Sequence, residues 1–152
     1  MENTVKKHET VLVCITNQIN SQRLIDKAAE IAGEKQADRF HILHVQQGES
    51  ILSDKNAPDM MHELCQYGDK KGGIMHFYCD EDIADCIGRF VKENDIDTVV
   101  IGQPLIENIK DVFALKEALR KIIWRIEGDI DIVVIPRNED IENIHISLNI
   151  RP

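Results

Sequence analysis

"VLVCITNQINSQRLIDKAAEIAGEKQADRFHILHV", residues 11–45, carries the decision about the fold. It opens on a short, unbroken, β-branched run, as expected of a strand covered on both faces. A turn follows, and then apolar residues at helical spacing: Leu24, Ile25, Ala28, Ala29 and Ala32. It closes on a second apolar run, Arg39 to Val45. Strand, helix and strand in so short a span define a right-handed crossover between parallel neighbours.

The same alternation continues along the chain. A short helix is expected near Asp59 to Tyr67, ended by "GDKKGG", where Gly72 and Gly73 tolerate positive φ. Strand three is Ile74 to Tyr78. In "CDEDIADCIGRFVKENDI" the acids fall in the first helical turn, and Ile83, Ile87, Phe90 and Val91 form one stripe. Strand four is Thr98 to Gly102, a helix is expected over about Lys110 to Glu127, and strand five is Ile130 to Pro136. That last helix has Val112, Leu115, Leu119, Ile122, Ile123 and Ile126 as its inner face, with Lys116, Glu117, Arg120 and Arg125 as its solvated one. The order predicts an α/β fold with a five-stranded, parallel, doubly wound sheet. Residues 1–9 read as an N-terminal extension, 10–136 as the domain and 137–152 as a C-terminal tail. In that tail Ile144, Ile146, Leu148 and Ile150 alternate with polar residues, the period of a half-buried strand. An extra strand is expected there, pairing locally or reaching a partner subunit.

At 152 residues the chain fits one domain. It has no run of 18 apolar residues and no signal-peptide pattern, which points to the cytoplasm and away from membrane insertion. Its 27 acids against 18 bases give a net charge of −9, a field that repels nucleic acid. Cys14, Cys65, Cys79 and Cys86 form no C-x-x-C pair and read as reduced, mostly buried thiols. A zinc site from His76, Cys79 and Cys86 fits no common spacing, so no metal is expected. His41 and His44 fall on opposite faces of strand two and read as core or strand-end histidines. Asp129 and Asp131 in "GDIDI" stand at a strand entrance, where a solvated or turn role is the simpler one. No serine or cysteine stands beside a recognisable base, and only Glu107 and Asp111 could serve a hydrolase near strand four, so no enzyme is expected.

Ligands of such sheets lie beyond the carboxyl ends of the strands, where strand order reverses. With strand one central, the candidate ligand-binding residues are Ile15, Thr16, Asn17, Val45, Gly102, Gln103 and Pro104. The turn "TNQINS" (Thr16 to Ser21) has no glycine or lysine, so it offers hydroxyls and amides rather than a phosphate cradle. Ser21 or Asn20 is expected to cap the helix that follows.

"VLVCI", "NSQRLIDKAAEIA", "FHILHV", "VKENDIDTVVIGQP" and "GDIDIVVIP" together resemble the universal stress protein family. More narrowly, they resemble the universal-stress-protein region of KdpD-type potassium-sensor histidine kinases. The resemblance covers about Thr10 to Pro136. It implies a Rossmann-like fold, a dimer in which strand-five edges meet, and a regulatory rather than catalytic role. With the alternation of the tail, a homodimer is expected in which strand five and the tail form most of the interface, presenting its surface to a protein partner. Nucleotide-binding members carry Gly, two residues, Gly, nine residues, Gly and then Ser or Thr after strand four. Gly102 matches the first position, but Leu105, Leu115 and Lys116 occupy the others. Counting back from "GDIDI" places Glu117 and Ala118 at the last pair instead. Standard ATP binding and a resident cofactor are therefore not expected. A weak small-molecule ligand, a nucleotide or a cyclic dinucleotide, is the alternative to a pure interaction module.

Overall fold

The computed structural model describes residues 9–15, 21–47, 57–102, 119–120, 122–124, 126, 128–137, 140 and 142–150. Six strands form one sheet: β1 (Thr10–Ile15), β2 (Arg39–Gln46), β3 (Ile74–Cys79), β4 (Thr98–Gly102), β5 (Gly128–Ile135) and β6 (Ile144–Ile150). Three helices are described between strands: α1 (Ser21–Glu34), α2 (Ala57–Lys70) and α3 (Ile83–Glu93). Residues 119, 120, 122 and 123 are also helical, on the course of the expected last helix. Its other expected positions, Val112, Leu115, Lys116, Glu117, Arg125 and Glu127, lie outside the described residues, as do Glu107 and Asp111.

The strand order is β3-β2-β1-β4-β5-β6. The first four pairings are parallel, and β5 with β6 is antiparallel. The chain winds outward from β1 through β2 to β3, then returns to β4 on the other flank, so the order reverses between β1 and β4. Period-two alternation divides the sheet's two faces. Leu12, Leu43, Val45, Val99, Ile101, Ile132 and Val134 meet Ile87, Phe90 and Val91 of α3, with Leu119, Ile122 and Ile126. Val11, Val13, Phe40, Ile42, Val100 and Val133 meet Ile25, Ala28 and Ile31 of α1 and Met61 and Leu64 of α2. Each fully buried Ile, Val or Phe here contributes roughly 1.5–3 kcal/mol.

The expected tail strand forms within the chain's own sheet. Its register runs from Val134↔Ile144 to Gly128↔Ile150, and Ile144, Ile146, Leu148 and Ile150 pack half-buried on the α3-side core. The outer edge of β5 is thus taken by β6.

All three described helices leave by the same turn. Each passes through one left-handed residue: Gln36 after α1 (φ 54°), Gly72 after α2 (φ 87°) and Asp95 after α3 (φ 53°). In each the next N–H donates five residues back: Ala37 to Ala32, Gly73 to Gly68 and Ile96 to Val91. This is the Schellman arrangement, which satisfies carbonyls the helix leaves bare. α3 is also capped at its start, where Asp82 Oδ1 accepts the Asp85 N–H at 3.0 Å. α1 begins at Ser21, buried, and the alternative cap Asn20 lies outside the described residues.

Candidate functional site

β1 and β4 end side by side at the order reversal. Their register pairs Val13 with Val100, and Ile15 and Gly102 are the last residues of the two strands. Ile15 also pairs with His44 on its other side. The three described candidates, Ile15, Val45 and Gly102, therefore share one stretch of the carboxyl edge. Thr16, Asn17, Gln103 and Pro104 lie outside the described residues. Val45 lends only backbone to this edge, because its side chain packs into the α3-side core.

The side chain that does reach the rim is the one before it. His44 is buried, and its Nδ1 donates to the Ile15 carbonyl at 3.1 Å. Its Nε2 lies 3.3 Å from the Gln46 side-chain oxygen. With Nδ1–H on that carbonyl, Nε2 of the neutral ring is an acceptor, which the Gln46 amide meets with its NH₂ turned inward. The polar chain continues: Gln47 Nε2 donates to the Glu81 carbonyl at 3.0 Å, and the Asp80 N–H donates to the Gln46 carbonyl at 3.0 Å. It ties the ends of β1, β2 and β3 together. The strand-end role expected of His44 is what the fold uses. Its reach to Ile15 follows from parity, since His44 shares a face with Gln46 and not with Val45.

Three described helices start on the side of this edge, with different electrostatics; α2, after β2, carries Asp59 in its first turn. α3 carries Asp82 at its cap and Asp85 in its first turn, with Arg89 clamped between Asp80 and Asp85. These carboxylates already answer the helix dipole and would repel an anion. α1 has no acid in its first turn. A polar or anionic group is accommodated better beside Ile15 and Gly102 than beside β3.

The other expected chemistry is placed elsewhere. Asp131 pairs with Lys35 at 3.2 Å and Asp129 accepts from Asn149, both at strand entrances on the opposite rim. Among the described residues no group of three metal-ligating side chains converges. Cys86 is buried and Cys14 and Cys65 half-buried, whereas Cys79 is exposed at the end of the outermost strand, a departure from the mostly buried expectation. Burial, then the neighbouring Cys86, pushes the Cys14 thiol up to about 12, so it stays protonated and inert.

Sequence reading missed the contact between His41 and His76. His41 Nδ1 lies 2.9 Å from His76 Nε2, and both rings stand edge-on to Phe90. Burial, then His76 and Arg39, lowers the His41 pKa; burial lowers that of His76. The partners are 35 residues apart, and only the β2–β3 register brings them together.

No family model matches the sequence, and no curated protein matches it either. Solved structures do match. A universal stress protein crystallised in complex with cAMP superposes with a TM-score of 0.59 at 17% identity, over 84% of this chain and 96% of that one. A universal stress protein from Archaeoglobus fulgidus in complex with dAMP gives 0.53 at 20%, over 85% and 96%. UspA from Lactobacillus plantarum gives 0.57 at 15%, over 86% and 99%. The fold is that of the universal stress proteins: a Rossmann-like α/β sheet, here with an antiparallel sixth strand.

Proposed function

We propose that the chain is a non-catalytic, homodimeric regulatory module of the universal-stress-protein type. It works in the cytoplasm, within a stress response, by presenting its surface to a protein partner. The region of KdpD-type sensor kinases that its sequence resembles is the nearest analogue. The observation that carries this reading is the switch-point edge itself. Its described part is closed by internal hydrogen bonds through His44, Gln46 and Gln47. Past Gly102 the sequence holds Leu105, Leu115 and Lys116 where a triphosphate cradle needs glycines and a hydroxyl.

A second reading is a sensor of small nucleotides. It is favoured by the acid-free start of α1 beside Ile15 and by the cAMP and dAMP named with two structures of the same fold. Such ligands carry one phosphate and need a smaller cradle than ATP.

Calorimetry and thermal shift with ATP–Mg²⁺, cAMP, dAMP and a cyclic dinucleotide separate the two. The leading reading expects no ligand tighter than roughly 10 μM, about −7 kcal/mol. Selective stabilisation by cAMP or dAMP replaces it with the sensor, and tight ATP binding overturns both.

A further inference from the structure

β3 is the outermost strand on the flank away from β6, and its outer side is unpaired among the described residues. Exposed edges are normally blunted by lysine, proline or a bulge. Ile74–Cys79 reads "IMHFYC", with no lysine, acid, proline or glycine, and its register on β2 runs unbroken from His41↔Ile74 to Gln46↔Cys79. Of the four large apolar side chains exposed among the described residues, three stand on this strand: Ile74 at 48%, Phe77 at 38% and Tyr78 at 41%. None is on β6, the other open edge, so exposure singles out β3. By alternation Phe77 flanks one face of the sheet, and Ile74 and Tyr78 flank the other. The edge is apolar on both sides.

The backbone offers a matching row. The Asp80 N–H donates to the Gln46 carbonyl across the ladder. Alternate residues of a parallel strand face the same neighbour, so Ile74, His76 and Tyr78 bond to β2, whereas Met75, Phe77 and Cys79 turn N–H and C=O outward. Such a row is the template on which an extended peptide adds as a strand, and antiparallel addition is the more stable. Charge then decides what the incoming segment carries. Asp80, Glu81 and Asp82 follow β3 without a break. Arg89 pairs with Asp80 and Asp85, while Glu81 and Asp82 are exposed. An antiparallel strand lays its N-terminal end beside these acids, and a basic end is complementary to them. The net charge of −9 favours the same sign.

We infer that β3 receives an extended segment of a partner protein as a seventh, antiparallel strand, apolar and β-branched along its length and basic at its N-terminal end. The inference rests on the partner-binding reading above and gives it a surface; the homodimer and the ligand question are independent of it.

The test uses the full chain, kept reduced, and a synthetic peptide that alternates valine and threonine behind two N-terminal arginines, with fluorescein at its C-terminus. Anisotropy should give a Kd tighter than about 100 μM, weakened about tenfold or more when glutamates replace the arginines. In amide exchange the free chain should protect His76 and Tyr78 more than Met75, Phe77 and Cys79, and bound peptide should protect those three as well. Phe77→Pro removes an outward N–H and leaves the β2 ladder whole. It should weaken binding about tenfold or more and leave the oligomeric state unchanged. Peptide at about 1 mM that protects none of the three amides overturns the inference. Protection on another element instead overturns this site while keeping the partner-binding reading. Equal binding of the glutamate peptide overturns the stated chemistry. If Phe77→Pro dissociates a dimer of the free chain, the edge belongs to a second copy and the inference fails.

Discussion

His41 and His76 face each other nitrogen to nitrogen at 2.9 Å, with ring centroids 5.1 Å apart. One proton between them makes a hydrogen bond; two would abut, and the second protonation must break the pair. Both stand edge-on to Phe90, and the cation Arg39 also bears on His41. Both pKa values lie below the ordinary histidine value, so the unfolded chain binds more protons near neutrality. Stability from this pair is full above about 6.5 and is lost as pH falls below it. Imidazole NMR titration should place both rings below 6.5. Urea melts at pH 7.5 and 5.5 should show a loss that His41→Leu/His76→Leu lacks. Rings titrating at or above 6.5 would contradict this.

The shared helix exit makes three substitutions comparable. Gln36 and Asp95 carry a Cβ in a conformation that favours glycine, so Gln36→Gly and Asp95→Gly should each stabilise by about 0.5–1 kcal/mol. Gly72→Ala should destabilise by about 1 kcal/mol. Equilibrium unfolding of the three variants checks the signs, and losses at both Gln36 and Asp95 would refute the strain argument.

Glycine to alanine should also divide by place within helices. A Cβ at Gly88 would run into the backbone carbonyl of Ile122, where α3 meets its neighbour. One at Gly33 meets nothing within 4 Å. Gly88→Ala should cost about 1–3 kcal/mol, whereas Gly33→Ala should gain about 0.5 kcal/mol from helix propensity. Thermal melts giving equal shifts would show that the α3 contact is not tight.

Much of this fold was legible in the sequence. β4 is a continuous buried run, and β6 keeps strict alternation because one of its faces is half covered, so both match their expected limits. α2 begins earlier and ends later than Asp59 to Tyr67, because its outer turns are polar and only its middle is periodic. The helix exits at Gln36 and Asp95 were hidden, since no glycine marks them. At the candidate site, topology gave the level of Ile15 and Gly102, while the part played by His44 needed parity and register together. The His41–His76 contact had no local signal at all.

Capping at α3 is a smaller check on the same reasoning. Asp82→Ala should cost about 1 kcal/mol, and Asp82→Ser should recover most of it. If both variants melt like the unsubstituted chain, the Asp85 N–H does not depend on that carboxylate.

Removing the tail is the coarser counterpart. Truncation after Asn138 uncovers the edge of β5 and the apolar groups under Ile144, Ile146, Leu148 and Ile150. Aggregation or a markedly lower melting temperature is expected, read by light scattering during a thermal ramp. A truncated chain as soluble and stable as the full one would show that β6 contributes little to the fold.

Because β6 runs against its neighbours, Ile150 pairs with the first residue of β5. The path through the sheet therefore finishes on the rim where Thr10 starts it, three strand spacings away, or about 14 Å. Entry and exit lie close together, and the switch-point edge faces the opposite way. A fold wired like this can be spliced into a surface loop of a host protein by two short leads, keeping its sheet whole and its switch-point edge turned outward. Joined end to end by about five to eight residues, the same chain could instead be reopened elsewhere as a circular permutant.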